Sequence, residues 1–153
     1  MRRELEGGMD RTFRGFIAGI SAGLIVSIIH LPAYYWFHII KIRFLDWAAI
    51  LFMRGLPQNT AETIFAWVQQ LIWDGIMGII FALILPQISS KYYSIKGAIY
   101  GVFLSFIFCS IAIMFRLPYL AEKVPLVTVL FNELCVILWG IILAVILKKL
   151  EKV

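Results

Sequence analysis

Four long apolar runs occupy most of the chain, and each holds so few charges that water is the wrong solvent for it. Gly15 to Ile40 and Gly97 to Phe115 contain no Asp, Glu, Lys or Arg, while Thr63 to Ile88 and Val124 to Leu147 contain one acid each, Asp74 and Glu133. A bilayer core about 30 Å thick is crossed by roughly 20 residues of helix. All four runs are long enough. A backbone inside lipid has to satisfy its own hydrogen bonds, so runs of this length are read as helices. The expected fold is all-α: a polytopic membrane protein of four transmembrane helices over about 15–37, 63–85, 97–117 and 124–147, forming one membrane domain at 15–147. Basic tails at 1–14 and 148–153 flank it.

Charged residues make up 15% of the chain, against about 25% in ordinary soluble domains. The stretches between the runs are short and leave no room for a soluble catalytic domain. The net charge of +5 lies at helix ends, where anionic head groups attract it, and is read as topology, with no nucleic-acid partner expected. Arg2, Arg3, Arg11 and Arg14 ahead of the first run also suit a signal peptide. The run continues past that length, ends in Tyr34-Tyr35-Trp36-Phe37 and is followed by no A-x-A site, so it is read as a retained span. Cys109 and Cys135 fall inside spans, where a disulfide framework is not expected.

With four spans the bases divide by side. Arg2, Arg3, Arg11, Arg14, Lys91, Lys96, Lys148, Lys149 and Lys152 share one side, and Lys41, Arg43, Arg54, Arg116 and Lys123 share the other. The positive-inside rule then predicts both termini in the cytoplasm, in a multi-pass protein of a bacterial plasma membrane. Residues 39–54 are too apolar for a plain loop. As a helix they gather Arg43, Asp46 and Arg54 within about 80° of one another, which predicts an outer interfacial helix with its charged edge toward water. It would serve as a connector covering the bundle or as a lid over a polar cavity.

The spans also repeat in pairs. Arg14-Gly15-Phe16-Ile17-Ala18-Gly19 reads like Lys96-Gly97-Ala98-Ile99-Tyr100-Gly101, an 82-residue offset that carries Gly23 onto Ser105. His30-Leu31-Pro32 and Arg116-Leu117-Pro118 close the two helices, and the runs from Gly78 and Gly140 match as well. First with third and second with fourth makes a parallel repeat of two helical hairpins. Gly15, Gly19, Gly23 and Gly97, Gly101, Ser105 form small-residue stripes, with Gly78 and Gly140 on the partner helices. Such stripes let backbones approach in lipid, where no hydrophobic drive brings helices together. A seam between the first and third spans is expected, within one chain or between two.

Counting along the runs places Asp74 eleven residues from both Thr63 and Leu85, hence close to the midplane. His30, Gln69, Gln70, Asn132 and Glu133 cluster above it, on the side of the small residues and so inside the bundle. No Lys or Arg lies deep enough to pair with Asp74, and an uncompensated charge at that depth is costly. Two readings follow. Such acids are interhelical glue, bonding to neighbouring amides and hydroxyls, or they mark an ion or proton pathway. His30 with Glu133 lacks the further ligands of a metal site, so no metal and no cofactor is expected. No HExxH, no GxSxG and no phosphate-cradling loop occurs, and the chain is read as a non-enzyme.

The glycine-rich first helix (Gly15, Gly19, Gly23), the aromatic segment Tyr34-Tyr35-Trp36-Phe37, the Lys96-Gly97 opening of the third helix and Leu117-Pro118 after it resemble the small uncharacterised four-helix membrane proteins of spore-forming bacteria. The resemblance spans most of the chain and implies architecture without an activity. The leading functional expectation is a structural or interaction subunit that pairs with a second copy or with another membrane protein. The alternative is a proton-coupled small transporter or channel using Asp74 and Glu133.

Overall fold

The protein was analysed as a computed structural model, which describes residues 10–85 and 91–151. Arg2, Arg3 and Lys152 of the tails, and the last residues of the second apolar run, lie outside these. All regular structure among the described residues is helical: α1 (Arg11–Tyr35), α2 (Phe44–Met53), α3 (Thr60–Ile84), α4 (Tyr93–Met114) and α5 (Leu126–Leu150). All but the short α2 are long and apolar enough to cross a membrane, and the architecture is that of a multi-pass membrane protein.

α1, α3 and α4 begin before their apolar runs do, because helical hydrogen bonding does not stop where the hydrocarbon does, whereas α5 starts inside its run, at Leu126 after Pro125. α1 starts at Arg11, four residues before Gly15, and α5 continues through Lys148 and Lys149, whose positive charges suit a helix C-terminus. α3 opens with a reciprocal cap. The Asn59 side chain accepts from the Glu62 amide at 2.9 Å, while the Glu62 carboxylate accepts from the Gln58 amide at 2.7 Å. The two Leu-Pro pairs are not equivalent. Pro32 lies in the last turn of α1, whereas Pro118 follows the end of α4.

α1 packs antiparallel on α3, α4 antiparallel on α5, and α1 joins the two hairpins by packing on α5. At one end of the bundle Arg11 pairs with Glu151 at 3.4 Å and Arg14 donates to the Leu150 carbonyl at 3.3 Å. The start of α1 and the end of α5 therefore lie together. The shared core between the hairpins holds Ala18, Ala22 and Val26 of α1, Phe81 and Ala82 of α3, and Trp139, Leu143 and Leu147 of α5.

The small stripes are where the backbones meet, but the expected seam between the first and third spans is corrected. A Cβ on Gly15 would lie 2.7 Å from the Gly78 carbonyl oxygen, and one on Gly97 would lie 2.7 Å from the Gly140 carbonyl carbon. Gly19 faces Asp74 and Gly75, and Gly101 faces Val136. Each stripe thus closes its own hairpin. The partners supply small residues of their own, Gly78 with Ala82 and Gly140 with Ala144, so the approach is close from both sides, and the antiparallel arrangement opposes the helix dipoles.

α2 corrects a second expectation. Arg43 at its start and Asp46 in its first turn face inward, with side chains only 7% and 3% exposed, while the apolar Leu51 and Phe52 are exposed. The pair turns inward because it neutralises itself, while Arg54, the third residue of the expected charged edge, caps the end of α2 and stays exposed. Leu45 and Ala49 of α2 pack with Ala66 of α3, against Leu31 and Trp67.

Candidate functional site

Antiparallel packing of α1 on α3 and α4 on α5, joined through α1 and α5, leaves α3 and α4 as flanks that barely touch each other. Between them lies a cavity of about 380 Å³, within the size range of small-molecule sites. Gly23 and Val26 of α1 form part of its floor, and Val136 and Trp139 of α5 continue it. α3 contributes Gln69, Gln70, Trp73, Asp74 and Met77, and α4 contributes Leu104, Ser105 and Phe108. Phe44, Trp47, Ala48 and Leu51 of α2 cover one side, which makes α2 part of the enclosure.

Local periodicity sets these positions. Gln70 and Asp74 lie one helical turn apart on α3, and the following turn carries Gly78 into the α1 seam. The same face that brings Gly78 against Gly15 therefore turns Asp74 toward α1. Gly23 is there with no side chain of its own: a Cβ would stand 2.9 Å from the Asp74 carboxyl carbon. Asp74 Oδ2 is sealed from solvent and has no hydrogen-bond partner among the described residues. Trp139 Nε1 of α5 is likewise enclosed and unpartnered among the described residues.

Several neighbouring polar groups are committed. His30 is buried, stacks on Phe44 with ring centroids 4.1 Å apart, and its Nε2 shares a hydrogen bond of 2.9 Å with Asn132 Oδ1. The Ser105 hydroxyl donates to Glu133 at 2.7 Å. The Trp67 indole donates to Ser27 at 3.1 Å, and Ser27 donates back to the Gly23 carbonyl at 2.8 Å.

Of the residues singled out from the sequence, Asp74, Gln69, Gln70 and Asn132 share the cavity wall. His30 and Glu133 do not line it. Each reaches it through a bonded neighbour, His30 through Asn132 and Glu133 through Ser105. The two are engaged with different partners, so His30 with Glu133 makes no common site. Among the described residues no three of His, Cys, Asp and Glu converge as at a metal centre.

The aromatic frame is what sequence reasoning missed. Phe108 of α4 meets Trp73 of α3 edge-on at 5.7 Å and Trp47 of α2 at 5.9 Å, spanning the gap between the flanks. Further along, Tyr100 packs on Phe81 and Trp139 and donates to the Met77 carbonyl at 2.8 Å, which ties α4 to α3. Exposed Ile72, Trp73, Ile76 and Cys109 form the rim, on the outward surface of two spans. In a bilayer that rim faces lipid. The chain matches no protein-family model, and neither a curated protein nor a solved structure is similar to it.

Proposed function

We propose that this chain is a non-enzymatic protein of the bacterial cytoplasmic membrane that binds a small solute in the cavity between α3 and α4 and carries it across. One observation carries the reading: an aspartate with an enclosed, unpartnered oxygen on the wall of a ligand-sized cavity at the middle of a span. Interhelical glue would have bonded that oxygen to a neighbouring helix. Glu133 shows that alternative, since Ser105 satisfies it across the α4–α5 interface, and its place in this reading is to position Ser105. α2 acts as the cover, held by its buried Arg43–Asp46 pair.

Asp74→Asn tests the proposal, because it keeps the shape of the carboxyl and removes its charge and its titratable proton. The variant should fold with an unchanged melting temperature and fail to complement a strain lacking the protein. Full complementation by the folded variant would instead favour a structural or interaction subunit that pairs with a second copy or another membrane protein. That reading draws on α4, which rests mainly on α5 and leaves most of its surface turned outward.

The distribution of bases supports a topology with both termini in the cytoplasm. Single cysteines at Lys96 and Lys149, in a background lacking Cys109 and Cys135, should resist a membrane-impermeant maleimide added outside intact cells. A cysteine at Lys123 should react. Labelling at Lys96 or Lys149 from outside reverses the topology.

A further inference from the structure

The proposed solute site has a chemistry of its own, and it narrows the ligand class. Among the described residues no Lys, Arg or His lines the cavity, and Asp74 is the only acid there. An anion brought into this space would find no cationic group among the described lining residues to offset its own buried charge. A polyhydroxylated solute could bond a few hydroxyls to Gln69, Gln70 and Asp74 but would leave the rest against Val26, Leu51, Met77 and Leu104, at a cost for each. A bare metal ion needs several oxygens at once. Here Asn132 Oδ1 is taken by His30 and the Ser105 hydroxyl is engaged with Glu133, so among the described lining side chains Asp74, Gln69 and Gln70 are left to supply oxygens, fewer than such an ion requires.

An organic cation meets none of these obstacles. Its charge compensates the ionised form of Asp74, which is costly at this depth without a counter-charge, and its body can lie on aromatic faces, which attract cations through their quadrupoles. Trp47, Trp73, Phe108 and Trp139 all contribute to the wall. The rim is apolar and opens between two spans, so a ligand that partitions into the bilayer reaches it without crossing water.

We propose that the ligand of this cavity is a lipophilic monocation, its positive centre opposed to the Asp74 carboxylate and its apolar body held among Trp47, Trp73, Phe108 and Trp139. This assignment rests on the solute-binding reading above and deepens it.

The test uses the full-length protein in lipid nanodiscs with radiolabelled tetraphenylphosphonium, with tetraphenylborate as its isosteric anion and tetramethylammonium as a cation without an apolar body. Partitioning into empty nanodiscs is subtracted. Saturable binding of tetraphenylphosphonium is expected, at least about tenfold tighter than that of either comparator, a difference of one decade in Kd. Asp74→Asn should weaken it by about tenfold or more, since an interaction with a full charge is lost. Trp73→Leu, at the exposed rim, should weaken it by about threefold or more through loss of one aromatic face. The Trp73 variant keeps the test decisive if Asp74→Asn folds poorly.

Equal or tighter binding of tetraphenylborate overturns the assignment of charge. Equal binding of tetramethylammonium overturns the assignment of a lipophilic body. Absence of saturable phosphonium binding, or binding indifferent to both substitutions, overturns the proposal altogether. Any of these results combined with failed complementation by Asp74→Asn would leave a solute site with a different ligand, whereas full complementation would remove the site itself.

Discussion

Gly97→Ile should destabilise the protein by about 3 kcal/mol or more, and Gly15→Ile by a similar amount, because in both hairpins the new side chain lands on backbone. At Gly97 the first added carbon alone would sit 2.7 Å from the Gly140 carbonyl carbon and 2.8 Å from the Ala144 Cβ. At Gly15 it would sit 2.7 Å from the Gly78 carbonyl oxygen and 2.8 Å from the Ala82 Cβ. A flexible side chain can step aside from such a contact, but a helix backbone cannot without opening the helix pair. Lost packing is costly here, since contact between small residues is the main attraction between helices in lipid. Gly55 is the control. A Cβ there would meet nothing within 4 Å, so Gly55→Ala should change stability by less than about 0.5 kcal/mol. Denaturation by SDS in mixed micelles reads the difference. Equal effects at Gly15, Gly55 and Gly97 would mean that the close approach does not hold the hairpins.

The four spans were legible because hydrophobic length is a property of the chain taken one residue at a time. Asp74 and Gln70 were legible for a related reason: helical period puts residues four apart on one face, and Gly78 one turn on fixes which face is inside. What the sequence withheld concerns relations between helices. A glycine stripe announces a close approach without naming the partner, and so Gly15 was assigned to the third span when it meets Gly78 of the second. Counting residues gives depth but not direction around the bundle. Glu133 therefore shared a level with His30 without sharing a site, since Ser105 holds one and Asn132 the other. The aromatic frame was hidden for the same reason, because Trp73 and Phe108 read like any lipid-facing aromatics until the gap between α3 and α4 brings them edge to edge. α2 was misread through a rule suited to water. Charges on a helix wheel were sent to the solvent side, but Arg43 and Asp46 stand three residues apart, a spacing at which they can neutralise each other and turn inward.

That inward pair carries the other large expected effect: Asp46→Ala should cost about 3–5 kcal/mol, the usual consequence of leaving one member of a buried ion pair alone. Asp46 takes Arg43 Nη2 at 2.7 Å and Nε at 3.1 Å, and its second oxygen accepts the Arg43 amide at 2.7 Å, closing the first turn of α2. The guanidinium also lies 4.4 Å over the Tyr34 ring and donates to the Tyr35 hydroxyl, so one side chain pins α2 to the end of α1. Burial by itself would lower the pKa of Arg43. The Asp46 hydrogen bonds and charge outweigh it and hold the pKa above its ordinary value. A guanidinium is basic enough to stay protonated without them, so the charge remains when its partner is removed. Tyr35 is then its remaining hydrogen-bond partner, and a desolvated cation pulls the start of α2 toward water. The double substitution Arg43→Met with Asp46→Leu should recover most of the loss, because an apolar pair of similar volume leaves nothing unpaired in the same space. Hydrogen exchange localises the effect. In Asp46→Ala the amides of α2 should exchange faster while those of α1 and α3 around the Gly15–Gly78 contact stay protected, and in the double variant α2 should be protected again. A double variant as labile as the single one would show that α2 needs the charges themselves and not merely their mutual cancellation. Because Phe44, Trp47, Ala48 and Leu51 cover the cavity, freeing α2 also uncovers Asp74, and the same variant should bind tetraphenylphosphonium more weakly with its carboxylate intact.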